Sequence, residues 1–195
     1  LIHRVITDVR GWAREGAFHA TRARIAERYG YDRYGGNCHV VPNHAVVIAA
    51  LAHSGGEFAT AMTVVNTCGW DTDSNAGDVG SICGVFGGLA GLDAGPDWRG
   101  PVADRLYLPT ADGGAAITDA ATEALALAAL GRDRAGVPVT DRRGGARFHF
   151  TLPGSVQGFT VLDGAGSVRN VLRGPGDRAL EISCQTAGSV YSGTP

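Results

Sequence analysis

The sequence predicts a mainly α protein, with a helical body over residues 1–131, a linker over 132–145 and a small antiparallel β module over 146–195. Three observations carry this reading. Apolar residues recur at helical spacing along the first two thirds of the chain, five glycines between Gly77 and Gly91 fall on one helical stripe, and after residue 145 the apolar period becomes two.

Ile2, Val5, Ile6, Val9 and Trp12, followed by Ala20 and Ile25, give residues 1–29 a helical composition. Residues 30–42, GYDRYGGNCHVVP, read as a loop closed by Pro42. Asn43 is then placed to cap a helix that runs through AVVIAALAH until Ser54, Gly55 and Gly56 stop it. A further helix follows over 57–67.

Gly77, Gly80, Gly84, Gly87 and Gly91 are separated by 3, 4, 3 and 4 residues. Each glycine inside a helix costs about 1 kcal/mol relative to alanine. The stripe therefore calls for another backbone or helix lying directly against it. Val79, Ile82, Val85, Phe86 and Leu89 cover the remaining surface, so this helix is expected to be central and buried nearly all round.

Residues 93–114 form a Pro/Gly/Asp-rich connection, and 117–130 an alanine-rich helix capped by Thr118 or Asp119. In the β module, Phe148, Phe150 and Leu152 alternate with His149 and Thr151. GFTVLD, VRNVL and ALEISC repeat the strand pattern between DGAG and GPGD turns.

Seventeen basic residues against 19 acidic ones, for a net charge of -2, offer no broad positive surface, which excludes nucleic acid as the main partner. No stretch approaches the roughly 20 apolar residues of a membrane span. The first residues also lack the basic start and apolar centre of a signal peptide. No membrane partner and a cytoplasmic location are expected. Cys38, Cys68, Cys83 and Cys184 form no CxxC pair and no close-spaced framework, so free thiols are expected. The chain begins at Leu1 without an initiator methionine, which suggests a piece of a longer polypeptide.

The chemistry concentrates in GWDTDSNA, residues 69–76. Asp71, Thr72, Asp73, Ser74 and Asn75 are all preferred at helix starts, where carboxylates complement the helix dipole. Capping uses only one or two such groups. The others would crowd near a core, where unpaired carboxylates are costly unless a cation or base accepts them, and no lysine lies nearby. Carboxylate and hydroxyl oxygens suit Mg²⁺, Mn²⁺ or Ca²⁺ rather than zinc. An EF-hand is excluded, because Ala76 and Ile82 stand where its loop needs glycine and glutamate. An ordinary glycosidase pair is also a poor fit, since its carboxylates flank the sugar from opposite sides about 5 Å or more apart.

"GWDTDSNAGDVGSICGVFGGLAG", preceded by "HVVPNHAVVIAALAHSGGEFATAMTVVNTC", resembles the C-terminal half of the ADP-ribosylglycohydrolase family, all-helical enzymes that include the dinitrogenase reductase-activating glycohydrolase. The similarity covers roughly residues 30–130 and leaves the β segment outside. It implies a helical bundle for residues 1–131 and a binuclear Mg²⁺ or Mn²⁺ centre with Asp71, Asp73 and Ser74 as ligands. Asp71 and Asp73 are then the catalytic carboxylates, and Thr72 is structural. The implied reaction is hydrolysis of the glycosidic bond that joins a ribose carbon to an ADP-ribosylated protein or a small ribosyl compound.

The resemblance also implies an N-terminal half with a Gly-Asp motif and further ligands, and residues 1–29 contain none of these. That half of the same polypeptide is expected to supply the rest of the centre. The alternative is a non-catalytic, carbohydrate- or protein-binding remnant of the fold.

Three weaker candidates for substrate contact are His39, Asn43 and Tyr34. His39 and Asn43 lie where the chain leads toward the metal segment, and Tyr34 with Tyr31 and the Gly35-Gly36 pair could form an aromatic lid. A surface or core position for the histidine and ordinary packing of the tyrosines are the preferred readings. His44 and His53, nine residues apart, make no close pair on a helix. Cys68 and Cys83 need no role beyond apolar packing.

Overall fold

The computed structural model describes residues 1–36, 38–107, 117–139, 144–162 and 166–184. Parts of the expected connection (108–114), linker (140–143) and β module (163–165 and 185–195) lie outside the described residues, as does the side chain of Cys184. The protein is mainly α, with two small antiparallel sheets. It divides into two units, Leu1–Pro96 and Asp97–Pro195.

In the first unit, α1 (Ile2–Glu15) turns Val5 and Val9 inward. Helix α2 (Phe18–Tyr29) does the same with Thr21, Ile25 and Tyr29, each set spaced by four residues as one helical face requires. The helical stretch over 1–29 is thus two helices, parted at Gly16 and Ala17.

Helix α3 (Val40–Ser54) begins before the expected Asn43, with His39 at the cap position and its Nδ1 accepting from the Val41 amide at 3.1 Å. Pro42 is tolerated in the first turn, where its missing N–H would have no intrahelical partner anyway. Asn43 is thereby released from capping. Two faces of α3 are apolar. Val41, Ala45 and Ala49 pack with Val5, Val9, Ile25 and Tyr29, while Val46, Val47 and Ala50 pack with residues of the next two helices.

Helix α4 (Phe58–Thr67) is capped by Glu57, whose carboxylate accepts from the Ala59 and Thr60 amides at 2.8 and 2.7 Å. A hydrogen bond from the Thr60 side chain, followed by these two amide bonds, holds the Glu57 carboxyl below its ordinary pKa. Helix α5 (Thr72–Leu92) buries only Asn75, Val79 and Cys83.

The glycine-striped helix is therefore not the buried centre; α3 is. Ile82, Val85, Phe86 and Leu89 are exposed, Val85 by 89%. A Cβ added at Gly77, Gly84, Gly87 or Gly91 would meet nothing within 4 Å, and only Gly80 has a close neighbour, the Met62 Cε at 3.6 Å. Near its end α5 breaks at Gly88, whose φ of 61° and ψ of -166° lie in a region essentially restricted to glycine.

In the second unit a single turn, Gly100–Val102, leads into β1 (Arg105–Tyr107), which pairs antiparallel with β2 (Ile117–Asp119). Asp119 then caps α6 (Ala120–Arg134) by accepting from the Thr122 amide at 2.9 Å. Strands β3 (Gly166–Gly174) and β4 (Asp177–Cys184) form a hairpin with an irregularity between Leu172 and Gly174. These are the VRNVL and ALEISC segments.

The alternating stretch 148–152 forms no strand. Instead Phe148 and Phe150 both meet Phe159 edge-on, at centroid distances of 5.0 and 5.9 Å. The turn that follows is fixed by a buried carboxylate: Asp104 Oδ2 accepts from Ser155 Oγ, the Val156 amide and the Gln157 amide. Gln157 Nε2 in turn donates to Asp119 Oδ1 at 3.1 Å. These bonds tie Asp104 and Asp119 to residues 155–157 within the unit Asp97–Pro195. Among the described residues, no helix is long and apolar enough to cross a membrane.

Candidate metal centre

Between α4 and α5 the chain reverses in three residues, Gly69, Trp70 and Asp71, with φ of 71°, 61° and 58°. Three successive left-handed residues are unusual. For each of the two that are not glycine the conformation costs about 1–2 kcal/mol. The surroundings supply interactions of comparable size.

Arg22 on α2 donates from Nε to the Cys68 carbonyl at 2.6 Å, and its guanidinium carbon lies 3.4 Å from the centroid of the Trp70 ring. A hydrogen bond to a charged group contributes about 1.5–3 kcal/mol, and a cation on an aromatic face about 0.5–2 kcal/mol. Asn75, only 2% exposed, donates from Nδ2 to the Trp70 carbonyl at 2.6 Å. Tyr31 meets the Trp70 ring edge-on at 5.1 Å and 78°. Trp70 also packs against both apolar clusters of the first unit, which anchors the loop to its core.

The consequence is the placement of Asp71. It occupies the N-cap position of α5, yet its side chain caps nothing; only its carbonyl enters the helix, accepting from the Asn75 amide at 3.0 Å. The carboxylate is held from elsewhere. Oδ2 accepts from Asn43 Nδ2 on α3 at 2.8 Å, and Oδ1 accepts from Ser74 Oγ at 3.1 Å. The Tyr31 hydroxyl donates to Asn43 Oδ1, so that the amide is fixed with its N–H toward Asp71.

Asp73 lies exposed in the first turn of α5. Its charge is felt at the same corner as that of Asp71. The Cys38 thiol is held above its ordinary pKa chiefly by the negative charge of Asp71, then by desolvation, by its bond to Asp71 and by the charge of Asp73. Tyr31 is likewise pushed up, first by burial and then by Cys38 and Asp71.

Asp71, Asp73 and Ser74 together offer two carboxylates and a hydroxyl. Magnesium is commonly held by one or two carboxylates while water fills its remaining positions, so this donor set suits it in kind. The positive end of α5 opposes a cation; the two carboxylates offset it. No cluster of three or more His, Cys, Asp or Glu side chains that could hold a metal occurs among the described residues. A pair of ions would need ligands from beyond them.

Of the other residues singled out by sequence, Asn43 joins Asp71 directly. His39 caps α3, with its ring 5.3 Å from that of Tyr34. Tyr34 also faces Tyr29 at 6.5 Å and packs on the α1–α2–α3 cluster. Tyr31 is the loop tyrosine that reaches the Asn43–Asp71 pair. Sequence reading did not single out Arg22, which lies 46 residues before the carbonyl it holds, and no spacing rule connects the two.

Residues 2–136 match a family model described as ADP-ribosylglycohydrolase. Comparison with curated proteins gives no match, and neither does comparison with solved structures.

Proposed function

The chain belongs to the ADP-ribosylglycohydrolase family, and from that premise we propose that it serves the metal-dependent hydrolysis of the glycosidic bond in an ADP-ribosyl or related ribosyl substrate. The observation that carries this reading is the Asp71 carboxylate, which stands at a helix start without capping it, bonded by Asn43 and Ser74 and next in sequence but one to Asp73. A carboxylate that caps nothing is available to a ligand.

Asp71, Asp73 and Ser74 would hold Mg²⁺ or Mn²⁺. Bound there, the metal supplies orientation of the ribose hydroxyls and activation of a water. Asn43 fixes Oδ2 of Asp71 by donating to it, which leaves the carboxylate one orientation toward its ligand. Asp71 and Asp73 also contribute negative charge that favours an oxocarbenium-like transition state. The remaining ligands of a binuclear centre come, in this reading, from the N-terminal half of the same polypeptide. The substrate is an ADP-ribosylated protein or a small ribosyl compound.

The test is an assay of the natural polypeptide that contains this chain, on an ADP-ribosylated peptide, with Mg²⁺ or Mn²⁺ present. Release of ADP-ribose that stops with EDTA and returns with metal is the expected result. Turnover that survives chelation would overturn the metal-dependent reading. Metal binding without turnover of any ribosyl substrate would favour the non-catalytic alternative.

A further inference from the structure

Only four residues, Cys68 to Asp71, separate the end of α4 from the start of α5, and two non-glycine residues among them, Trp70 and Asp71, are left-handed. The direction of the Asp71 carboxylate therefore depends on whatever keeps Trp70 in that conformation. A rotation at Trp70 would swing Asp71 away from Asn43, which approaches from a different helix.

Arg22 is the side chain that spans this joint. Its Nε holds the Cys68 carbonyl at the end of α4, while the carbon of the same guanidinium lies over the Trp70 ring, 3.4 Å from its centroid. Burial pushes the pKa of Arg22 below its ordinary value, so its placement opposes a desolvation cost. A leucine or methionine would cover the ring without that cost. What the guanidinium adds is a donor and a flat face in one rigid group, which fixes the carbonyl and the ring relative to each other.

We infer that Arg22 is a positioning residue for the metal ligands, acting through Cys68 and Trp70 to hold Asp71 in register with Asn43. This rests on the metal-dependent reading above. Lysine cannot replace it, because an ammonium at the end of a flexible stem cannot present a planar face to Trp70 and an Nε–H to Cys68 together.

The test measures Mn²⁺ affinity by electron paramagnetic resonance of the free ion, with thermal midpoint and far-UV circular dichroism beside it, for wild type, R22K, W70L, R22K/W70L and D71N. R22K and W70L are expected to stay helical and to bind Mn²⁺ about 10-fold more weakly, the effect typical of residues that support a metal ligand. The double variant is expected to lose no more than the weaker single one, because both act through one joint. Wild-type affinity in R22K within twofold would overturn the inference and leave the metal reading standing, as would additive losses. A fold lost in R22K would assign Arg22 to stability and overturn it as well. Wild type binding no better than D71N would bring down the metal reading itself.

Discussion

Asn43 Nδ2 donates to Asp71 Oδ2 across 2.8 Å, and so joins the first turn of α3 to the residue that begins α5. The two residues stand 28 positions apart in the chain. Their bond explains why Asp71 does not cap its own helix: the carboxylate is turned toward α3 and away from the amides of α5.

N43A removes that donor. Its Mn²⁺ affinity is expected to fall about 10-fold by isothermal titration, as for other partners of metal ligands. Unchanged affinity would mean that Asp71 needs no support from α3.

Cys38 reports the field of the two aspartates. A thiol reacts as its thiolate, and Asp71 disfavours that form, so the alkylation rate of Cys38 should rise with pH about a midpoint above the ordinary thiol value. Removing the negative charge in D71N favours the thiolate, lowers the midpoint and speeds alkylation at a pH below it. The measurement is best made in EDTA in a C184S background. Cys68 and Cys83 are buried and pushed up by burial, so they react more slowly than exposed Cys38. A profile that D71N leaves unmoved would separate Asp71 from Cys38.

Asn75 braces the reversal through the Trp70 carbonyl. N75A deletes one partner of a bond in which the donor is almost fully buried, at an expected cost of about 1–3 kcal/mol in urea unfolding. A loss below a few tenths of a kcal/mol would show that the loop is held without it.

The two faces of α5 should behave oppositely. Val79 is fully buried and Val85 is 89% exposed. V79A removes two methyl groups from the core and should cost about 2 kcal/mol. V85S should stay within about 0.5 kcal/mol of wild type in this chain. Equal losses would mean that the outer face of α5 is covered.

The local patterns legible in the sequence are those that depend on neighbours along the chain. The Asp119 cap of α6, the helix over 58–67 and the VRNVL–ALEISC hairpin all follow from nearby residues. The glycine stripe was equally visible, but periodicity identifies a distinctive face without saying what lies against it. The apolar alternation at 148–152 gave way to contacts distant in sequence, with Phe159 taking the aromatic rings and Asp104 taking the turn at 155–157. At the site, Asp71, Asp73 and Ser74 fall within four positions of the chain, at the N-cap and first turn of α5, so their closeness in sequence was legible. Asn43 was singled out for its place near a helix start, while its bond to Asp71 depends on packing. Arg22 reaches the loop from α2, and only the folded chain brings it there.

A Mn²⁺ binding isotherm for wild type against D71N and D73N decides whether Asp71 and Asp73 hold a metal ion. Saturable binding to wild type is expected, and each substitution should weaken it by about an order of magnitude or more. Equal, unsaturable binding to all three would contradict that expectation.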